Sequence, residues 1–314
     1  MRPFLCRLFW FVLPIVLVLV IGILLPPTPR ASTSFLFAGP QKDRLLQETA
    51  SPRIIFVGGS NLTFGLNCQM IRDSLNLNPI NTGLHAMMGL RYMLENTIQY
   101  VKEGDIVVLC LEYNQFHRDY NAPSEELMRM VLDVQFSKIK LLSPGQSANM
   151  LAFIPKYVLT KLRPSEYRNV KENDIYGVHS FNEFGDVDKH WGKPRVEFPT
   201  LNRMAVRIHP GVVGKIREFG ARLGRKNATL LIAYPGLQDL SFAKSIRSIE
   251  AIDQELRRQG FTILGRPERY QIPDRMMFNT PYHLNKEGVD YRTRLFIEDF
   301  QQYRRSKQAD NPES

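Results

Sequence analysis

The chain turns on residues 54–65, IIFVGGSNLTFG, where four apolar residues run straight into Gly58-Gly59-Ser60-Asn61. A short apolar run bounded by glycine reads as a buried strand. Behind it, Leu66, Met70 and Leu75 share one face of a helix predicted over 63–75. A strand that turns directly into a helix leaves the corner residue beside free backbone N–H groups and the positive end of the helix dipole. Ser60 at that corner has two uses. Its hydroxyl can cap the helix, or it can attack a substrate where the corner favours the negative charge that develops. The paired glycines supply the backbone freedom that such a corner asks for.

Outward from this corner the chain alternates. A weak strand at 79–81 is followed by a helical pattern over 87–101, and a Gly104-Asp105 turn leads into the strongest apolar run, 106–111. Ser124, with Glu125 and Glu126 behind it, starts another helix as a cap with acids near the dipole's positive end. Later come a helix at 211–223, a strand at 229–234, a helix at 241–259, a strand at 261–264 and a last helix from Asn285 to about residue 303. This order predicts an α/β fold with a doubly wound parallel sheet. In such sheets sites form beyond the carboxyl ends of strands, where both Ser60 and the residues after Leu111 fall. The rhythm breaks over 164–199, a stretch holding Tyr176, His179 and Trp191 with no clear period; it reads equally as a lid or binding loop and as a surface excursion.

Residues 8–25 hold no charge, and eighteen helical residues at about 1.5 Å each nearly match a hydrocarbon core of about 30 Å. Arg2 and Arg7 place residues 1–7 in the cytoplasm and the main domain outside. A cleaved signal peptide is the competing reading, but its apolar core is shorter and no small-residue cleavage site follows. The expected organisation is a transmembrane anchor at 8–25, a linker at 26–52, one domain over 53–305 and a polar tail at 306–314. The net charge of +10 suits an anionic neighbour such as a membrane surface. Its cations are scattered and not interleaved with aromatics, so nucleic acid is not an expected partner. Three cysteines make no disulfide framework; Cys68 and Cys110 read as buried thiols.

No Gly-Lys-Ser/Thr follows the glycine pair, a third dinucleotide glycine is absent, and the six histidines are isolated from one another. Neither a cofactor nor a metal is therefore expected. The residue that gives Ser60 a use is His283 in MMFNTPYHLNKEGVDYRT, residues 276–293, just ahead of a helix that Asn285 can cap.

With GGSN after the first strand, Asn81-Thr82-Gly83 after the second and YHLNKEG near the C-terminus, the chain resembles the SGNH (GDSL-type) hydrolase superfamily, and within it the membrane-anchored bacterial members of unassigned role. The resemblance implies a flavodoxin-like sheet with Ser60 as nucleophile and His283 as general base. It implies an oxyanion hole made by the Ser60 N–H, a glycine N–H from Gly83 or Gly89, and the side chain of Asn114, with Glu112 standing where that motif has glycine. One departure is chemical. The aspartate that orients the histidine in the superfamily is missing, and Asn279 and Thr280 stand in its place. Asn279 can hold the imidazole tautomer without stabilising its cation; Asp274, Asp290 and Glu112 are the acids that could substitute in space. The expected function is an anchored serine esterase or acyltransferase that acts on ester-linked acyl groups of an envelope glycan or lipid. The alternative is a degenerate member of the fold that binds a polysaccharide or protein partner in an envelope assembly.

Overall fold

The computed structural model describes residues 2–310. Chain order begins with three helices, α1 (Arg2–Leu24), α2 (Pro29–Ser32) and α3 (Gly39–Glu48). Then come β1 (Arg53–Gly58), α4 (Ser60–Thr63), α5 (Cys68–Leu75), β2 (Asn78–Asn81), α6 (Leu90–Ile98) and β3 (Ile106–Cys110). Three shorter helices follow, α7 (Glu125–Arg129), α8 (Pro144–Met150) and α9 (Ile154–Lys161). The last part carries α10 (Pro210–Gly224), β4 (Thr229–Ile232), β5 (Leu237–Gln238), α11 (Asp239–Arg258), β6 (Gln271–Ile272), the hairpin β7 (Met277–Thr280) and β8 (His283–Leu284), and α12 (Lys286–Asp310).

The main sheet runs β2-β1-β3-β4 and is parallel throughout, with Ile55 opposite Ile80 on one side and Val107 on the other. Ile263 adds a parallel bridge to Ile232, so the stretch expected as a strand at 261–264 contributes a single ladder step at the sheet edge. Every residue of β1 is buried, as a central parallel strand covered on both faces must be. Side-chain alternation then splits the core. Ile55, Val57, Val107 and Leu109 pack with α6, α10 and α11, while Ile54, Phe56 and Val108 pack with α5 and α12 through Ile71, Phe296 and Phe300. The doubly wound α/β class read from the sequence is the one the chain adopts.

At the opposite end of the sheet from the Ser60 corner, Arg53 and Asp105 form a fully buried pair, Nε to Oδ1 at 2.8 Å. Two backbone carbonyls, Leu46 and Tyr100, take two more of the guanidinium donors. That satisfaction is what makes a charge tolerable inside.

The stretch expected as a linker is folded onto the domain. Leu36, Ala38 and Leu46 join the larger core, and Lys42 of α3 donates to the carbonyls of Asn81 (2.8 Å) and Gly185. The local reason is capping: Thr28 and Ser34 each accept a backbone N–H at the start of a helical turn. The irregular 164–199 stretch is also docked. Val178 N–H donates to Thr33 O and Phe35 N–H to Tyr176 O, which ties it to the segment that leaves α1. Helix α1 is long and apolar enough to cross a membrane. At the other terminus, residues 306–310 extend α12, and 311–314 of the expected tail lie outside the described residues.

Candidate active site

The turn after β1 needs glycine for room. Neither Gly58 nor Gly59 has a positive φ. A Cβ on Gly58 would lie 2.3 Å from the carbonyl oxygen of Cys110, and one on Gly59 would lie 2.9 Å from Cα of Ala86. Three chain segments therefore meet at the carboxyl ends of β1, β2 and β3 with only hydrogens between them. The side chain of Asn61 fixes the corner, accepting Gly59 N–H (3.2 Å) and donating to Cys110 O (3.2 Å). Ser60 opens α4 and does not cap it; its hydroxyl faces the cleft.

His283 arrives from the far end of the chain on the β7–β8 hairpin. Thr280 Oγ1 accepts the backbone N–H groups of Tyr282 (3.2 Å) and His283 (3.0 Å), which closes the hairpin turn. Leu284 N–H donates to Phe64 O, pinning the hairpin to the α4 corner. Phe64 stacks on the imidazole, ring centroids 4.3 Å apart and planes at 21°. So placed, His283 Nε2 lies 2.9 Å from Ser60 Oγ.

On the other side of the ring, Nδ1 lies 3.0 Å from Asn279 Oδ1. Asn279 Nδ2 donates to the hydroxyl of Tyr176 (2.7 Å), which also lies 3.3 Å from Nδ1. The amide carbonyl therefore accepts a hydrogen bond from Nδ1–H and leaves the Nε2 lone pair facing serine, the tautomer that a general base requires. Burial holds His283 down at about 3, and the nearby His190 and His85 push the same way. At neutral pH the ring is uncharged and ready to accept a proton, but no carboxylate stabilises the cation that would form.

Of the acids weighed as substitutes for the missing aspartate, none reaches the ring. Asp274 pairs with Arg195 (2.7 Å) and accepts from Gln238. Asp290 accepts from Asn67 (3.0 Å) and Lys286. Glu112 lies on the opposite side of the serine, Oε1 3.4 Å from Ser60 Oγ, and accepts the Asn61 N–H. Burial pushes its carboxyl up to about 7, although the Asn61 N–H, the serine hydroxyl and Arg118 all favour the anion. Glu112, where the resemblance expects glycine, thus places a side chain beside Ser60 that glycine could not supply.

Gly83 is not available as an oxyanion donor, because its N–H donates to Asn81 Oδ1 (2.9 Å) and the residue sits beneath Gly59. Gly89, at φ +79°, lines the cleft, but its N–H closes the Ala86–Met88 turn on Ala86 O (3.2 Å). Asn114 lines the same cleft as Ser60 and His283, half-buried in the turn Tyr113–Phe116 that follows β3. This cleft has a volume of about 340 Å³, with Met87, Tyr120, Pro123 and Leu201 on its apolar walls and Arg118 and Asp119 at its polar side.

The 164–199 stretch does not line that cleft. It works from behind, through Tyr176 on Asn279 and through His190, whose Nε2 lies 2.8 Å from the carbonyl of Leu284 next to the catalytic-type histidine. Sequence reasoning missed these two supports, since neither sits in a periodic or motif-like setting. Cys68 and Cys110 are both free and buried. Among the described residues no group of three or more His, Cys, Asp or Glu side chains is arranged to hold a metal ion.

No family model and no curated protein matches the chain. Among solved structures, it is similar to the Bacillus subtilis protein YxiM at 12% identity and a TM-score of 0.39, covering 81% of this chain and 57% of that one. It is also similar to an acetyl xylan esterase, Est2A, from the rumen bacterium Butyrivibrio proteoclasticus, at 11% identity and a TM-score of 0.33 over 83% of this chain and 65% of the other. The chain thus spans less than two thirds of either structure. At these values the likeness is remote, and the chemistry must be read from the site itself.

Proposed function

We propose that the chain is a membrane-anchored, SGNH-like serine esterase or acyltransferase that works through an acyl-serine intermediate on ester-linked acyl groups of an envelope glycan or lipid. The observation that supports this most is the ordered array Ser60 Oγ–His283 Nε2 at 2.9 Å and His283 Nδ1–Asn279 Oδ1 at 3.0 Å, opening into a cleft. A hydroxyl, a base in the correct tautomer and an orienting acceptor are the parts that nucleophilic acyl transfer needs. Serine attacks the ester carbonyl as Nε2 takes its proton, and the imidazolium returns that proton to the departing alkoxide. Water or an acceptor hydroxyl then repeats the step in reverse. The Ser60 N–H and Asn114 are the donors offered to the oxyanion. Helix α1, with Arg2 and Arg7 ahead of its apolar span, supports an anchor with the main domain on the extracytoplasmic side.

A second reading, a binding protein built on a retired site, is favoured by one feature: an amide stands where a carboxylate would carry the imidazolium, and such a change costs about 10⁴ in turnover in triad enzymes. One experiment separates the two. The full chain in detergent is treated with a fluorophosphonate and the adduct mapped by mass spectrometry, for wild type, Ser60→Ala and His283→Ala. The enzyme reading expects a stoichiometric adduct on Ser60, absent in Ser60→Ala and slowed at least ~10³-fold in His283→Ala. A folded wild-type chain that stays unlabelled from pH 5 to 9 would establish the binding reading.

A further inference from the structure

The helical run that enters α9 at Leu151–Phe153 and leaves it at its C-cap, Leu162, carries an apolar face that the fold leaves uncovered. Leu151, Leu159 and Leu162 are 66%, 60% and 60% exposed, and Pro155 is exposed with them. Positions 151, 155, 159 and 162 follow one another at four-, four- and three-residue steps, the spacing of a single helical stripe. Tyr157 on the opposite side of the helix and Val158 at the stripe's edge are both buried in the main core. Such a stripe of large aliphatic side chains calls for a cover.

What covers it is indicated by where α9 sits. Val158 Cγ1 lies 2.4 Å from the position a Cβ would take on Gly22 of α1, so the two helices touch at a glycine that only the absence of a side chain permits. Leu19 and Ile23, on either side of that glycine, pack on the same core as Val158. Lys161, at the end of α9, donates to the carbonyl of Leu25 (2.6 Å), where α1 would otherwise end on an unpaired acceptor, and pairs with buried Asp133 (3.5 Å). From Leu19 to the last apolar residue, Leu25, a helix rises about 9 Å. A helix docked against Leu19–Ile23 therefore stands level with the outer part of the apolar span, within the ~15 Å that one leaflet's hydrocarbon occupies. The exposed cation Arg163 flanks the stripe at its edge, where anionic headgroups would meet it.

Resting on the anchor reading of α1, we propose that α9 lies in the outer leaflet beside it, with Leu151, Pro155, Leu159 and Leu162 against lipid acyl chains. The domain is then seated in the bilayer at two places and does not hang from one helix. The seat also orients the cleft. Glu125 of α7 follows Ser124, which lines the cleft, and it accepts from Lys156 of α9 (2.6 Å). The mouth of the site is thereby held close to the headgroup plane, where an ester carried by a lipid or a lipid-linked glycan would be presented.

The test uses the full chain with Cys6→Ser, reconstituted in vesicles of phosphatidylethanolamine and phosphatidylglycerol. Spin labels are placed singly at Val16→Cys on α1, at Leu159→Cys and Leu162→Cys on α9, and at Arg258→Cys on exposed α11 as an aqueous reference. Collision with oxygen and with a water-soluble nickel chelate is measured by power saturation. The proposal expects 16, 159 and 162 to favour oxygen over nickel several-fold, and 258 to show the reverse. Nickel access at 159 and 162 equal to that at 258, with 16 still in lipid, overturns the seat and leaves the anchor standing. Aqueous behaviour at 16 as well overturns the anchor itself. Shielding of 159 and 162 from both reagents, deepening as the protein-to-lipid ratio rises, assigns the stripe to a second copy of the chain and also overturns the proposal.

Discussion

Asp186 and Glu112 are both carboxyls drawn in near the carboxyl ends of the sheet, and they are held in different ways. Asp186 accepts the Cys68 N–H (2.7 Å) and Asn81 Nδ2 (2.7 Å), with Lys42 close enough to supply a counter-charge. Its donors belong to α5 and β2, and the cation that acts on it stands on α3, so its work is to join these elements. Glu112 accepts the Asn61 N–H and faces the serine hydroxyl, and among the described residues the cation that pulls on it is the exposed Arg118. A buried acid with a full donor set serves as scaffold, while one left short of donors beside a nucleophile is free to exchange its proton within the reaction.

Replacing the two acids should break that comparison cleanly. Asp186→Ala leaves the Cys68 N–H and Asn81 Nδ2 without this acceptor and is expected to cost about 1–3 kcal/mol of stability for each, read as a shifted urea midpoint, with the labelling of Ser60 per folded molecule unchanged. If labelling falls as far as folding, Asp186 is not mere scaffold.

Glu112→Gln should do the opposite. With the carboxyl near 7, Glu112 is neutral below that pH and can donate to Ser60 Oγ, leaving the serine proton for His283; above it, the anion competes for that proton and opposes the oxyanion. Wild-type labelling should therefore fall about tenfold per pH unit above 7, while the glutamine variant stays flat and overtakes it. Stability follows the same sign. A folded-state value raised above the ordinary carboxyl value of 4.5 favours the protonated form, so wild type loses stability as pH climbs from 4.5 through 7, and the variant does not. Parallel profiles for the two proteins would remove Glu112 from the chemistry.

Asn279→Asp places a third acid where none now stands and sharpens the contrast. A charge 3.0 Å from Nδ1 raises His283 above its present value of about 3 and should speed labelling by roughly 10- to 100-fold near pH 7. No gain would mean that the imidazolium is not what limits the reaction. Tyr176→Phe is expected to give the smallest effect, a loss of about two- to tenfold from one hydrogen bond to Asn279, with thermal stability nearly unchanged.

The parts of this molecule that were legible in the sequence are those set by short-range rules. Burial and glycine punctuation marked β1 and β3, and alternation gave the parallel sheet. Ser60 and His283 stood at predictable ends of elements, and the Ser124 cap is made as its spacing implied, with Leu127 N–H donating to its hydroxyl (2.9 Å). Part of what escaped depends on contacts across more than a hundred positions. Tyr176 reaches Asn279 from 103 residues away. The Gly83 N–H escaped for a local reason, since Asn81 two residues earlier takes the hydrogen bond that motif logic reserved for substrate. Residues 26–52 looked like a linker because they are polar and hold prolines and serines, yet Leu36, Ala38 and Leu46 among them insert in the core.

The backbone pairing of Thr33 and Phe35 with residues 176–178 has a practical side. The chain that leaves α1 is the same chain that holds Tyr176 in place, and Tyr176 in turn steadies the partner of His283. A soluble fragment begun beyond residue 35 would discard the edge on which Tyr176 rests. Such a fragment is expected to keep its sheet, lose order around Asn279, and report a sluggish histidine that belongs to the cut rather than to the full chain.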